Sequence, residues 1–227
     1  LSDRPWAWQQ LAAWLDRQTW PKGQVRLTIG DTSQNEGMAA EIQAWIATSG
    51  YLDVRHLRFS VADDPQLADA PRRDHAAEVT DAVSRGWSRL TRDLSTAWAL
   101  CLEDDILPPD DAIERMLRAV NPAVDAVCAP YLSRHSTPPH WLVFEKVSGA
   151  TALRDVRLGS EPKGVTRVAG SGFGCLLCRT QFLRNHPFGP HGNNPWYDPS
   201  FFQTQDLHVI CDWSLKCRHY SGPEVWV

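Results

Sequence analysis

"ALCLEDDILPPDD", residues 99–111, joins an apolar run to three consecutive carboxylates, Glu103, Asp104 and Asp105. Two prolines and two further acids follow. Strand interiors disfavour Asp, and neighbouring like charges repel. Residues 99–102 read as a buried strand, and the acids therefore mark its carboxyl end. In open α/β sheets that end is where ligands bind. Three acids crowded there repel one another unless a cation sits among them, and oxygen-rich clusters suit the hard cations Mg²⁺ and Mn²⁺. Asp110 and Asp111 read differently. They precede "AIERMLRAV" and belong to a helix start, with arginine near the helix end to suit the macrodipole.

Working outward, helix and strand patterns alternate through the first half. "RPWAWQQLAAWLDRQ" predicts a helix, with Pro5 suited to a first helical position and Trp8, Leu11, Ala12 and Leu15 on one face. "QVRLTIG" (24–30) predicts a strand, and "DTSQNEG" a polar turn. A helix follows, with Met38, Ile42, Trp45 and Ile46 on its buried face and Gly50 as its stop. Residues 53–60 predict a strand, 61–74 a surface loop, 75–93 a helix, and "TAWALCLE" the strand that carries the acids. This alternation predicts an α/β fold with a mostly parallel central sheet covered by helices on both faces. The second half changes character. "DAVCAPYL", "WLVFEKV", "TALRDVRL", "GVTRVAG", "GCLLCRT" and "DLHVICDWSLKC" are strand-like with few helices between them, which predicts a mixed or antiparallel part. The chain opens at a helix where such a sheet normally opens with a strand, so a first strand is expected before residue 1.

The 227 residues suit one sizeable domain, and 43% hydrophobic with 22% charged residues is an ordinary globular composition. The net charge of −4 argues against a chain devoted to gripping nucleic acid. No apolar run approaches the ~20 residues of a membrane-spanning helix. Six cysteines at 101, 128, 175, 178, 211 and 217 lie mostly in apolar contexts. Cys175 and Cys178 have a zinc-like spacing without a second pair, so the six read as buried reduced thiols of a cytoplasmic protein. Arg85, Arg89 and Arg92 in "SRGWSRLTR" form one basic helical edge. It is read first as a solvated face and second as a site for a phosphate-bearing ligand. His135, His140, His186 and His191 lie in loop-like stretches.

"LCLEDDILPPDDAIERML" resembles the D-x-D segment of nucleotide-sugar glycosyltransferases with the GT-A fold, particularly glycosyltransferase family 2. "QVRLTIGDTSQNE" resembles that family's second strand and D-x-S turn. The opening helix with "QTWPKG" resembles its L-x-S-L-x-x-Q-x-Y-P segment. "GSGFGCLLCRTQFL" resembles its G-x-G-x-x-L-x-R-x-x-F stretch, and "WSLKCRHY" its late histidine-bearing strand. Each motif alone is weak. Together, in the family's order, they span nearly the whole chain.

The resemblance implies a single GT-A (Rossmann-like) domain over 1–227, with 1–120 as the nucleotide-sugar-binding half and 121–227 as the acceptor-binding half. It implies a metal-dependent transferase that moves a sugar from a nucleoside-diphosphate sugar to an acceptor hydroxyl, with inversion. Mn²⁺ or Mg²⁺ would be held by Asp105, by Glu103 directly or through water, and by His219. Asp31, Ser33, Glu103 and Asp104 would contact the donor. The family's base matches Asp206, with Asp198 as the fallback. Gln205 replaces the usual first acid of that motif, and the helix that normally follows is missing. The acceptor stays open among a saccharide, a lipid-linked carrier, a protein and a modified nucleic acid. Two other classes fit the same residues: a nucleotidyl- or phosphoryl-transfer enzyme, and a non-catalytic sugar-binding module.

Overall fold

A computed structural model describes residues 4–33, 35–59, 84, 86–133, 137–147, 153–185 and 207–220. Its first unit is helix α1 (Pro5–Arg17), strand β1 (Arg26–Asp31), helix α2 (Glu36–Ile46) and strand β2 (Asp53–Arg58). Asn35 caps α2 by accepting the Met38 amide at 3.1 Å. β1 and β2 pair in parallel, Arg26 opposite Asp53 through Asp31 opposite Arg58. The expected buried faces form: Trp8, Met38 and Ile42 pack with Ile29, while Trp45 and Ile46 are half-buried against them. Residues 86–91 are helical, within the helix expected at 75–93; Arg85 and the expected loop at 61–74 lie outside the described residues.

The chain continues with β3 (Trp98–Leu102), β4 (Ile106–Leu107), α3 (Ala112–Ala119), β5 (Ala126–Cys128), β6 (His140–Lys146), β7 (Leu153–Arg157), β8 (Val165–Val168), β9 (Gly170–Ser171), β10 (Cys175–Arg179), α4 (Thr180–Asn185), β11 (Val209–Asp212) and β12 (Arg218–His219). Five strands form the largest sheet, in the order β3-β10-β5-β11-β8. Its two faces are read directly from the two-residue period of a strand. Ala126, Cys128, Leu176, Cys178, Val209 and Cys211 point into one apolar cluster, with Trp141, Phe173 and Trp213. Val127, Cys175, Leu177 and Ile210 point into the other, with Met116, Val124 and Leu215. Covering both faces is why these strands read as unbroken apolar runs. All six cysteines are buried and free, as expected.

The expectation of a mostly parallel sheet does not hold among the described residues. In the five-stranded sheet only β5 and β11 pair in parallel, while β3–β10, β10–β5 and β11–β8 are antiparallel. β3, β5 and β11 run one way, and β10 and β8 enter between or beside them the other way; each antiparallel pair joins strands that are not consecutive in the chain. β7-β6-β9 form a separate antiparallel sheet, in which β6 and β7 are consecutive strands. His140 was expected in a loop; it opens β6 instead, with its Nε2 3.4 Å from Asp155. Asp111 occupies the N-cap of α3, but its side chain makes no capping bond; it sits 3.6 Å from Arg115 in an i,i+4 ion pair.

Glu161 gives the fold a readable acid limb. A hydrogen bond from Lys216, whose ammonium also lies 5.1 Å from the Trp141 ring centre, holds its carboxyl down at about 2. A carboxyl lowered on folding contributes stability above its ordinary value of about 4.3, and loses it as pH falls through the folded value. Glu161→Gln should therefore flatten the fall of Tm between about pH 4 and about pH 2, without changing Tm's slope with pH above that window. A Tm series against pH measures both limbs.

Candidate functional site

The acids sit in a tight turn. The Ile106 amide donates to the Glu103 carbonyl at 3.2 Å, so residues 103–106 close a four-residue turn between β3 and β4. The Glu103 amide donates to the Gly174 carbonyl at 3.1 Å, tying that turn to the entrance of β10. The Gly174 amide in turn donates to the Tyr131 hydroxyl at 2.9 Å. Glycine is required here by space: a Cβ on Gly174 would lie 2.6 Å from Tyr131 Cζ and 2.9 Å from Ile106 Cγ1. The glycines of "GSGFG" thus let Tyr131 press against the backbone that holds the acidic turn.

His219 arrives on a strand two residues long. β12 pairs with β4, His219 opposite Ile106, and the Tyr220 amide donates to the Asp105 carbonyl at 2.9 Å. His219 Nδ1 lies 2.6 Å from the Leu132 carbonyl, an oxygen that can only accept, so Nδ1 carries a proton. In the neutral ring the lone pair is then on Nε2, which lies 3.9 Å from Asp105 Oδ2. Both side chains are nearly fully buried. The charge on Asp105 Oδ2 is met by Arg4.

Arg4 completes the cluster. From the N-cap of α1, its Nη1 donates to Asp105 Oδ2 at 2.8 Å and its Nη2 to Asp104 Oδ1 at 2.7 Å. Its guanidinium also lies 5.7 Å from the Trp6 ring centre. Burial alone would lower the Arg4 pKa; the charges of Asp104, Asp105 and Glu103 outweigh it and raise it. The second oxygen of Asp104, Oδ2, is buried with no hydrogen-bond partner among the described residues. Arg4 was not expected from the sequence. Its signal was there: a cation at a helix N-terminus opposes the macrodipole, and α1 has no acid in its first turn. Such an arginine needs carboxylates from elsewhere.

Asp31 ends β1 and is fully buried. Its Oδ1 accepts the Ser33 amide at 2.9 Å, and its Oδ2 lies 3.0 Å from His56 Nε2. Gln43 Nε2 lies 2.8 Å from His56 Nδ1; its amide donates there, so His56 donates from Nε2 to Asp31. Arg58 lies 3.7 Å from the same Oδ2 and forms a two-pronged pair with Glu36. Both Asp31 oxygens therefore serve the protein. Ser33 Oγ, buried with no hydrogen-bond partner among the described residues, keeps capacity for a ligand.

The structure brings Asp104, Asp105 and His219 together and places Glu103 in the same turn. Asp31 and Ser33 lie at the carboxyl end of a different strand, β1. Asp206 and Asp198 lie outside the described residues, as do His135, His186 and His191. Among the described residues, no group of three or more His, Cys, Asp or Glu side chains is gathered closely enough to hold a metal ion. Of the expected metal ligands, Asp105 and His219 approach within 3.9 Å, with Asp105 Oδ2 already paired with Arg4 at 2.8 Å. Arg89 stacks on Phe59 with 5.3 Å between guanidinium carbon and ring centre. It lines a groove with Arg26, Arg55, Asp53 and Asp93 at the amino ends of β1 and β2. No described helix is long and apolar enough to cross a membrane.

No family model and no curated protein matches the chain. Among solved structures, A197 from STIV is 16% identical with a TM-score of 0.54, covering 88% of this chain and 87% of that one. HddC from Yersinia pseudotuberculosis is 8% identical, with a TM-score of 0.49 and coverage of 88% and 74%. Mouse xyloside xylosyltransferase 1 is 13% identical, with a TM-score of 0.41 and coverage of 88% and 69%. The likeness to A197 is one of fold: a mixed α/β chain of several sheets, here with an acidic turn at a strand's carboxyl end.

Proposed function

We propose that the chain is a glycosyltransferase that takes a nucleoside-diphosphate sugar and moves the sugar to an acceptor hydroxyl. The observation that carries this reading is the convergence of Asp105 and His219 at the carboxyl end of β3, with Nδ1 of the histidine anchored on Leu132. An anchored ring nitrogen is how proteins orient an imidazole toward a metal. In this reading Asp105 and His219, with Glu103 directly or through water, would hold Mn²⁺ or Mg²⁺. When bound, such a cation neutralises the charge that develops on the leaving diphosphate.

The chain's own groups do the rest. Asp104 and Glu103 face the donor sugar and ribose. Ser33 Oγ offers a hydroxyl to the nucleotide beside Asp31. Asp206, with Asp198 as second candidate, accepts the proton of the attacking hydroxyl. A single displacement inverts the anomeric centre. The acceptor is a saccharide in this reading.

The test is a panel of nucleoside-diphosphate sugars, assayed for hydrolysis and transfer with Mn²⁺ and then with chelator. Turnover should appear with one donor class and fall to background when the metal is withdrawn. Turnover of nucleoside triphosphates instead would move the site to nucleotidyl or phosphoryl transfer. Donor binding without any turnover would leave a sugar-binding module.

A further inference from the structure

We infer that the groove at the amino ends of β1 and β2 binds an organic phosphate monoester, with Arg26 and Arg89 taking the phosphate and leucine side chains taking the organic part. The inference does not depend on the acidic turn or on the transferase reading. Arg26 opens β1, Arg55 lies on β2 and Arg89 comes from the helical residues 86–91; all three line this groove with Asp53 and Asp93. Three guanidiniums meet two carboxylates there, so the groove is positive in a chain of net charge −4. Both acids are held by the same arginine: Arg55 lies 3.8 Å from Asp53 and 3.7 Å from Asp93. Arg26 donates instead to a neutral group, Ser95 Oγ at 2.6 Å, although Asp53 stands opposite it in the strand register. Arg89 lies on the Phe59 ring. Neither Arg26 nor Arg89 has a carboxylate partner among the described residues.

The chemistry of these groups selects the ligand. A guanidinium is a planar fork of donors that matches phosphate oxygens. A phosphate monoester near neutral pH carries close to two negative charges and three acceptor oxygens, enough for two forks, whereas a carboxylate offers one charge and two oxygens. Both forks are partly held in advance, one by the Ser95 hydroxyl and one by ring stacking, so less freedom is lost when the anion arrives. Ser95 Oγ accepts from Arg26, which leaves its own proton to donate to a phosphate oxygen. The organic part follows from the rest of the lining. Leu27, Leu57, Leu90 and Leu94 are half-buried in the same groove, beside exposed arginines. Apolar walls with a few convergent polar groups are the usual make-up of a small-molecule site. Asp93, an exposed acid, works against the anion: it faces the same groove and occupies Arg55.

The experiment titrates phenyl phosphate, inorganic phosphate and phosphatidic-acid vesicles into the full chain at low salt, read by calorimetry, with wild type, Arg26→Gln, Arg89→Gln, Asp93→Asn and, as a control outside the groove, Arg157→Gln on β7. Phenyl phosphate should bind wild type more tightly than inorganic phosphate does. Arg26→Gln and Arg89→Gln should each weaken it by about tenfold, the usual cost of one charge-assisted hydrogen bond, and Arg157→Gln should leave it unchanged. Asp93→Asn should tighten it, because a carboxylate facing the anion is gone and Arg55 is released; a gain in affinity cannot come from lost folding, so this variant decides if the arginine variants do not fold. Failure of phenyl phosphate to bind wild type, or unchanged affinity in both groove-arginine variants, overturns the site. An equal loss in Arg157→Gln reduces it to the effect of overall charge and overturns it too. Equal affinity for phenyl phosphate and inorganic phosphate overturns the role of the leucines. Binding to the vesicles without binding of phenyl phosphate places the phosphate in a membrane surface and overturns a soluble ligand.

Discussion

If the chain is the proposed metal-dependent transferase, Asp105→Asn is expected to reduce transfer severely while leaving the protein folded. The substitution keeps the side chain's volume, and Asn Oδ1 can still accept from Arg4 Nη1, now at 2.8 Å from the carboxylate it replaces. What it removes is charge. A neutral amide oxygen in place of the carboxylate would lose most of its attraction for a hard divalent cation. The stabilisation of the leaving diphosphate, several kcal/mol, goes with it, a drop in kcat of about a thousandfold. His219→Ala should cost less, because a neutral ligand is removed and Asp105 keeps its charge. The double variant is the sharper measurement. If both residues serve one cation, Asp105→Asn with His219→Ala should be no slower than Asp105→Asn alone, since groups that act as a unit are not additive. Additive losses would place the two residues in separate roles. Wild-type kcat in Asp105→Asn, with unchanged metal dependence, would remove the acidic turn from the chemistry.

How much of this was legible in the residues depends on the length of the signal. β3 could be read because four apolar residues run into three acids, and that chemical contradiction marks the strand's end and a candidate site. The helices α1 and α2 could be read because their apolar faces repeat over several turns, and Trp8, Met38 and Ile42 meet as the spacing requires. The direction of β10 could not be read from its own residues. Cys175 to Arg179 is buried on both faces and looks the same run forward or backward, and its partners β3 and β5 are not its neighbours in the chain. His219 was found through a resemblance, but its placement was not visible. β4 and β12 are two residues each, too short for any periodicity, and yet their single ladder sets His219 beside the acidic turn. Arg4 could not be read as a site residue, because its only local context is the proline that opens α1. Its partners are about a hundred residues away, and nothing local names them. Long-range charge pairing is the part of a site that a linear reading reaches last.

Gly172→Ala should be among the most damaging single changes in the chain, although it adds one methyl group and meets no backbone strain. The added Cβ would stand 2.1 Å from the Tyr131 hydroxyl oxygen and 3.0 Å from its Cζ. Real Cβ atoms do not approach an oxygen that closely, so Tyr131 must move. It has little room: the residue is buried, its hydroxyl accepts the Gly174 amide at 2.9 Å, and its ring meets His219 edge-on with centroids 5.6 Å apart. Overpacking a tight core costs about 1–3 kcal/mol, and a displaced hydroxyl that strands the Gly174 amide adds about 1–3 more. For a chain of this size about 3 kcal/mol lowers Tm by about 6–12 °C. Tyr131→Phe provides the control. Alone it costs the acceptor of the Gly174 amide. Combined with Gly172→Ala it removes the very atom that clashes, leaving only the 3.0 Å approach to Cζ. The double variant should therefore be more stable than the sum of the two single losses predicts, by about 1–2 kcal/mol, a coupling typical of residues in contact. Gly174→Ala should show weaker rescue by the same phenylalanine, because its Cβ also meets Ile106 Cγ1 at 2.9 Å. Strict additivity for Gly172→Ala would mean that Tyr131 does not press on the glycine segment. The tie from Tyr131 through Gly174 to the Glu103 amide would then have no mechanical hold on the acidic turn.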